Sequence, residues 1–131
     1  MVQTGTIATK GILHFTISVR DHVKAAQYYA ELLGCKIDRV SEHFAFMRSG
    51  SDHFVLARMP GHVNPNPPDG TKVHHAFMVE AKEFDHAMEV LKARGIGILK
   101  YEDGGQVSFP GRQVYFQDPD GNGIEIIDPR S

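Results

Sequence analysis

The sequence lacks several features that would assign it at once to a membrane, secreted or disulfide-rich class. It contains no run of about 18 apolar residues, which a membrane-spanning helix needs. Cys35 is the only cysteine, so no intrachain disulfide can form. Residues 1–10 are polar and lack the apolar core of a signal peptide, so we expect a cytoplasmic protein without a membrane partner.

An excess of charge of one sign is also missing. The chain has 14 Lys and Arg against 16 Asp and Glu, a net charge of −2, and the two signs are mixed. Without a basic cluster, no nucleic-acid partner is expected. Histidine, by contrast, occurs eight times. Because histidine is the commonest metal ligand and carries protons near neutral pH, this count favours a metal or acid–base site.

One pattern occurs twice along the chain. His14 begins the run HFTISV, and His74 begins the similar run HHAFMV. Helices are predicted after these runs, over 23–33 and 84–94, each followed directly by a glycine that suits a left-handed helix end. Asp21 is the expected N-cap of the first helix. The predicted apolar stripes are Val23, Ala26, Ala30 and Leu33 in the first helix, and Phe84, Ala87, Met88 and Leu91 in the second.

Three strand-like runs follow each predicted helix, so each half reads β-α-β-β-β. The runs lie at 36–40, 43–48 and 54–59, and then at 97–101, 112–116 and 124–128, with a strong turn signal at 120–123. Residues 60–71 contain four prolines and two glycines, which predict a linker or lid loop. We therefore expect one α+β domain, with module one at about 11–59 and module two at about 72–129.

The alternation of strand residues places three candidate metal ligands on equivalent faces. Successive side chains of a strand point to opposite faces, so His14 and His74 point away from the helices, whereas His75 points towards them. Glu125, between isoleucines in the last strand, shares the face of the histidines. Taken alone, each of these residues is ordinary. Together, two imidazoles and one carboxylate form a set that leaves metal positions open to substrate.

The chain resembles the glyoxalase, bleomycin-resistance and extradiol-dioxygenase superfamily, also called the vicinal oxygen chelate superfamily. Three segments carry the resemblance: HFTISV from His14, HHAF from His74, and YFQDPDGNGIE from Tyr115 to Glu125. The resemblance implies two modules that form a curved, mixed eight-stranded sheet around a metal site. It places the metal ligands on His14, His74 and Glu125, and implies one divalent ion: Fe, Mn, Ni, Co or Zn. It also implies a homodimer, with the modules pairing within one chain or across two.

The resemblance leaves the reaction open. A substrate with two adjacent oxygens is expected, and Tyr115, ten residues before Glu125, matches a conserved position of ring-cleaving dioxygenases. This favours catechol cleavage, although Tyr115 is equally well explained as a core tyrosine. His53 and His62 are the other candidates for a catalytic base, and a surface role is the alternative for His53.

Three other branches of the superfamily fit the sequence less well. Glyoxalase I usually has a fourth ligand, a glutamate, in the last strand of the first module, and the segment HFVLA from His53 contains no acid. Fosfomycin-inactivating enzymes usually have basic residues after the final ligand, where this chain has only Arg130. A bleomycin-resistance-like binding protein would not need the three ligands. A glyoxalase-type lyase or isomerase and a binding protein remain the alternatives to ring cleavage.

Overall fold

The computed structural model describes residues 5–104 and 109–130 of the chain. The chain divides into two compact units, Met1–Pro60 and Gly61–Ser131. The predicted β-α-β-β-β order is confirmed in both. In chain order, the elements are β1 His14–Val19, α1 His22–Leu33, β2 Lys36–Val40, β3 Phe44–Ser49, β4 Asp52–Arg58, β5 His74–Met78, α2 Ala81–Ala93, β6 Lys100–Asp103, β7 Gly111–Gln117 and β8 Gly123–Pro129.

The eight strands form two separate four-stranded mixed sheets, one in each unit. The strand orders are β1-β4-β3-β2 and β5-β8-β7-β6, so the two units have the same topology. In each sheet the first strand is parallel to the last, and the other pairs are antiparallel. Neither helix of the described part of the chain is long and apolar enough to cross a membrane.

Helix α1 has the predicted ends but buries a different face. The side chain of Asp21 accepts hydrogen bonds from the backbone N–H groups of Val23 and Lys24, as expected of an N-cap. Gly34 ends the helix with φ of 68°. The predicted stripe was wrong at Val23, which is 46% exposed, whereas Ala26 is buried as predicted. The large ring of Tyr29 sets the buried face instead, and it packs on the sheet 5.6 Å from the ring of Phe54. The buried residues are His22, Ala25, Ala26 and Tyr29.

Helix α2 agrees better with its predicted stripe. Phe84 and Leu91 are buried at the two ends of that stripe, although the helix starts three residues earlier than predicted, at Ala81. The guanidinium of Arg112 ties α2 to the sheet: it lies 4.5 Å from the ring centre of Phe84 and donates to a carboxylate oxygen of Asp85 at 2.6 Å. The predicted strand at 97–101 was misplaced, because β6 begins only at Lys100.

The proline-rich segment is an ordered loop of the second unit. As predicted, it contains no helix or strand. His62 Nε2 lies 2.7 Å from the carbonyl oxygen of Asp120, and the buried side chain of Asn66 donates to the carbonyl oxygen of Val73 at 2.8 Å. The segment is therefore attached to the second unit over much of its length. The boundary between the two units falls between Pro60 and Gly61, at the start of this segment.

We predict that Cys35 reacts slowly with thiol reagents while the protein is folded. The residue is only 4% exposed, and burial raises the pKa of its thiol to about 11 from an ordinary value of 9.0. The thiol is therefore neutral at pH 7, and the thiolate is the reactive form. A chromogenic disulfide reagent should react far faster after addition of denaturant. Equal rates in the folded and unfolded protein would contradict this prediction.

The same pKa shift fixes the sign of a pH effect on stability. The unfolded chain releases the Cys35 proton near pH 9.0, whereas the folded chain retains it until about pH 11. The contribution of the neutral Cys35 thiol to the free energy of unfolding is therefore fully present below pH 9.0. It is lost as the pH rises from 9.0 to about 11. We expect Cys35→Ser to reduce the alkaline loss of stability, measured as the midpoint of urea unfolding.

Candidate metal centre

The predicted strand faces of the candidate ligands are confirmed. In β1, His14 and Thr16 are exposed, whereas Ile17 and Val19 are buried on the helix side. In β5, His74 is exposed and Phe77 is buried. We call the side of each sheet that carries His14 or His74 its open face. Because paired residues of neighbouring strands point to the same side, the strand registers identify the other residues on these faces.

Glu125 and His74 form a close pair in the second unit. The Glu125 side chain is on a strand with no exposed residue from Gly123 to Asp128, and the residue is 4% exposed. Its Oε1 atom lies 3.0 Å from Nε2 of His74. The other ring nitrogen, Nδ1, lies 2.7 Å from the carbonyl oxygen of Thr71. A carbonyl oxygen only accepts hydrogen bonds, so Nδ1 carries a proton and Nε2 faces the carboxylate.

This arrangement fits a bound cation. With Nδ1 protonated, a neutral His74 directs the lone pair of Nε2 at a carboxylate oxygen, and two such acceptors repel each other. The 3.0 Å separation is favourable when a proton or a metal ion lies between Nε2 and Oε1. A histidine that donates its second ring proton to a backbone carbonyl is the usual arrangement at metal sites. Imidazole and carboxylate together suit a divalent transition metal.

His14 occupies in the first unit the place that His74 occupies in the second. Each is the first residue of the strand parallel to the last strand of its sheet, where His14 pairs with His53 and His74 pairs with Gly123. Among the described residues, neither unit by itself brings together three His, Cys, Asp or Glu side chains able to hold a metal. The second unit therefore offers two of the predicted ligands and the first unit offers one.

Comparison of the two open faces explains why the first unit has no counterpart of Glu125. Two rows of directly paired residues correspond: Thr16, Val55, Phe46 and Arg39 form the first-unit row, and Ala76, Glu125, Tyr115 and Lys100 form the second-unit row. In both rows a cation lies over an aromatic ring. Arg39 lies 4.2 Å from the ring centre of Phe46, and Lys100 lies 5.4 Å from that of Tyr115. Val55 occupies the position of Glu125. The first unit thus has an apolar side chain, and no acid, at the position that corresponds to Glu125.

Tyr115 lies next to both predicted ligands of the second unit. Its ring meets that of His74 edge-on, with centres 5.3 Å apart, and it is the direct strand partner of Glu125. Its hydroxyl donates to Oε1 of Gln113 at 2.7 Å. Burial, followed by the negative charge of Glu125, raises the pKa of Tyr115 to about 12. In this arrangement Tyr115 is a hydrogen-bond donor, and its predicted role as a base stays a prediction.

The two other candidates for a catalytic base lie in different places. His53 is exposed at the start of β4, beside His14, where an open hollow of about 500 Å³ is lined mainly by apolar groups such as Leu13 and Phe46. His62 instead contacts the carbonyl oxygen of Asp120, which gives it a structural role in the loop. Of these two, only His53 lies on an open face next to a predicted ligand.

His75 points away from His74, as predicted. It is half-buried on the helix side of β5. Burial, with a smaller contribution from the charge of His74, lowers the pKa of His75. Its predicted lack of metal contact stays a prediction.

The residues that hold His74 and Glu125 in place were not found from the sequence. Asp118 is buried, and its carboxylate accepts from the backbone N–H groups of Asp120 and Asn122 at 2.8 and 2.9 Å. This turn joins β7 to β8 and so fixes the start of the strand that carries Glu125. An aspartate two residues before the predicted turn was a usable signal, because aspartate often accepts hydrogen bonds from the backbone two residues on. Gln117, whose side chain donates to the carbonyl oxygens of Pro67 and Gly70, could not be found from any local sequence pattern.

The fold and the paired histidine and carboxylate define a protein class with two β-α-β-β-β units and a candidate metal centre. Residues 11–126 match the profile of the Glyoxalase/Bleomycin resistance protein/Dioxygenase superfamily. The chain belongs to this superfamily, which confirms the predicted resemblance.

Similar proteins include two groups of curated enzymes and a solved structure. The chain is 27% identical over 113 residues to glutathione transferase FosA of Serratia marcescens, which covers 86% of this chain and 77% of that protein. It is 27% identical to metallothiol transferase FosB of Staphylococcus haemolyticus over 89% of this chain and 82% of that protein. The structure of fosfomycin resistance protein FosX from Listeria monocytogenes, complexed with Mn(II) and sulfate, superimposes with a TM-score of 0.77 at 21% identity, covering 94% and 93% of the two chains.

We predict that Gly123→Ala displaces His74. A Cβ atom at position 123 would lie 2.5 Å from the carbonyl oxygen of Val73 and 2.8 Å from Cβ of His74, so β5 would have to move. We expect a loss of about 1–3 kcal/mol of stability from this overpacking, together with weaker Mn(II) binding. Urea unfolding and Mn(II) titration measure the two effects.

Gly97→Ala is the matched control, because its added Cβ meets nothing within 4 Å. It should leave both stability and Mn(II) affinity close to those of the original protein. Wild-type Mn(II) affinity in Gly123→Ala would contradict the prediction.

Proposed function

We propose that the chain is a divalent-metal-dependent enzyme acting on a small substrate with two adjacent oxygen atoms. The observation that supports this most directly is the 3.0 Å contact between Nε2 of His74 and the buried carboxylate of Glu125. We propose that these two residues and His14 hold one divalent ion, of Fe, Mn, Ni, Co or Zn. In this proposal, His14 comes from the first unit of the same chain or of a second copy.

Several side chains of the second unit would serve this site directly. The proton on Nδ1 of His74 keeps Nε2 available for the metal, and the Glu125 carboxylate supplies negative charge. Tyr115 presents a protonated hydroxyl beside both ligands, and Lys100 adds an ammonium group above the Tyr115 ring. When bound, the metal supplies Lewis-acid chemistry that polarises a substrate oxygen.

The preferred substrate class is an epoxide that carries an anionic group, as fosfomycin does. The similarity to FosA and FosB supports this choice, although only Arg130 follows Glu125 where a basic tail was expected, and Arg130 pairs with Asp103 at 3.1 Å. The reaction would be the addition of a thiol or of water. A bond forms between the nucleophile and one epoxide carbon, the C–O bond of that carbon breaks, and the proton of the nucleophile ends on the released oxygen.

Ring cleavage of a catechol is the second candidate. The position of Tyr115 beside His74 and Glu125 favours it. The resemblance to ring-cleaving enzymes implies a tyrosine ten residues before the ligand glutamate. Turnover of a hemithioacetal would instead indicate a glyoxalase-type lyase or isomerase. Tight binding without turnover would indicate a binding protein of the bleomycin-resistance kind.

We also propose that the protein is a homodimer, as its superfamily resemblance implies, and that it is located in the cytoplasm. The strand orders place β1 and β2 at the ends of one sheet and β5 and β6 at the ends of the other. Strands at the edge of a sheet can be covered by a second copy.

The metal proposal predicts the behaviour of a carboxamide variant. Glu125→Gln keeps the shape of the side chain but removes its charge, so Mn(II) affinity should fall more than about a hundredfold, beyond the loss typical of outer-sphere changes. His14→Ala and His74→Ala should have a similar effect. Glu89→Gln, an exposed change on α2, is the control and should bind Mn(II) normally. Normal Mn(II) binding by Glu125→Gln would refute the ligand assignment.

The activity proposal predicts consumption of fosfomycin by the Mn(II)-loaded protein. Phosphorus NMR should show loss of the epoxide and appearance of a new phosphonate, with glutathione, cysteine or water as separate nucleophiles. Glu125→Gln should be inactive. Yellow ring-fission product from a catechol after admission of oxygen, without fosfomycin turnover, would move the assignment to the dioxygenase branch. Binding without any turnover would reject an enzymatic function.

A further inference from the structure

The orientation of the His74 ring depends on a loop carbonyl. The ring donates from Nδ1 to the carbonyl oxygen of Thr71, and Thr71 belongs to the proline-rich segment that has no helix or strand. A loop without regular hydrogen bonds does not fix a carbonyl by itself. The side chains that hold residues 67–73 therefore decide how precisely His74 is oriented.

Gln117 holds the part of the loop that precedes Thr71. Its Nε2 atom lies 2.8 Å from the carbonyl oxygen of Pro67 and 2.7 Å from that of Gly70. Both partners are acceptors, so the NH₂ group must face them and donate one hydrogen to each. Gly70 N–H in turn donates to the carbonyl oxygen of Pro67 at 2.9 Å, which closes a tight turn. Gln117 thus fixes a turn that ends one residue before Thr71.

Asn66 holds the other side of the same segment. The Asn66 side chain accepts from Val73 N–H at 3.0 Å and donates to the carbonyl oxygens of Val73 and Gly121 at 2.8 and 3.1 Å. The residue is only 5% exposed. Thr71 therefore lies between two points that buried or half-buried carboxamides attach to the rest of the unit.

The strand register places Gln117 in line with His74. Gln117 pairs with Gly123, and Gly123 pairs with His74, so the three share the open face of the sheet. Gly123 has no side chain, and an added Cβ would come within 2.8 Å of His74 Cβ. Gln117 and His74 thus lie on either side of Gly123. Both side chains also contact carbonyl oxygens of the proline-rich segment.

We propose that Gln117 is a positioning residue for His74. It acts through the turn at 67–70, which presents the Thr71 carbonyl to Nδ1 and thereby directs Nε2 towards Glu125 and the metal. The effect of Gln117 on metal binding rests on the proposed function. Its effect on the orientation of the His74 ring does not depend on that function. Gln117 itself touches neither the reacting atoms nor the metal.

The test replaces the donor group of Gln117 by an acceptor of the same size. Gln117→Glu directs carboxylate oxygens at two carbonyl oxygens, so the turn should open and Thr71 should shift. The Nδ1–H of His74, which donates to the carbonyl oxygen of Thr71, can be followed in proton–nitrogen correlation spectra of the metal-free protein. It should exchange slowly with water in the original protein and fast in Gln117→Glu. The Mn(II) affinity should fall about tenfold.

Two further variants separate positioning from a general loss of structure. Gln117→Lys retains hydrogen-bond donors and should restore the slow exchange of the His74 Nδ1–H. Gln27→Glu makes the same charge change on the exposed side of α1 and should change neither readout. Slow exchange and full Mn(II) affinity in Gln117→Glu would overturn the proposal and leave the proposed function intact. Absence of Mn(II) binding by the original protein, with exchange altered as expected, would reject the proposed function alone.

Discussion

The burial of the Glu125 carboxylate is the constraint on which the second unit depends. A buried carboxylate loses its hydration, and the cost is offset only when a cation or hydrogen-bond donors lie close to it. His74 is the partner that the structure supplies, at 3.0 Å. The His74 ring must point Nε2 at the carboxylate to make this contact. The hydrogen bond from Nδ1 to the Thr71 carbonyl holds the ring in that direction. The constraint therefore extends from β8 to a loop roughly fifty residues earlier in the chain, because β8 pairs with the parallel strand β5 and parallel strands are joined by long connections.

The two units use the same backbone arrangement for different chemistry. Their registers coincide along the row that contains Val55 or Glu125, with a cation above an aromatic ring in each unit. The decisive difference is Val55 in the place of Glu125. With Val55 at this position, the first unit has His14 beside apolar groups but no acid, whereas the second unit pairs His74 with the buried carboxylate of Glu125. In the proposed site, two imidazoles and one carboxylate would leave metal positions open to a substrate.

Local periodicity was sufficient to predict the topology and the strand faces of the candidate ligands, because alternation along a strand has a fixed period. It placed His14, His74 and Glu125 on the open faces from sequence alone. It failed for α1, where the bulk of Tyr29 outweighed the stripe through Val23. It also gave no sign of Gln117, whose partners are carbonyl groups far away in the chain. Such contacts follow from tertiary packing and leave no pattern along the sequence.

The composition of the proline-rich loop explains why side chains hold it. Proline has carbonyl oxygens but no N–H donor, so a segment with four prolines contains more acceptors than it can satisfy within its own backbone. Some of the donors then come from side chains. Asn66 and Gln117 supply them to carbonyl groups of the loop and its neighbours, and His62 contacts the carbonyl of Asp120. The lack of backbone donors that excludes regular structure thus makes the loop dependent on a few amides. One of them lies in line with a candidate metal ligand, so the geometry of the site is linked to the composition of the loop.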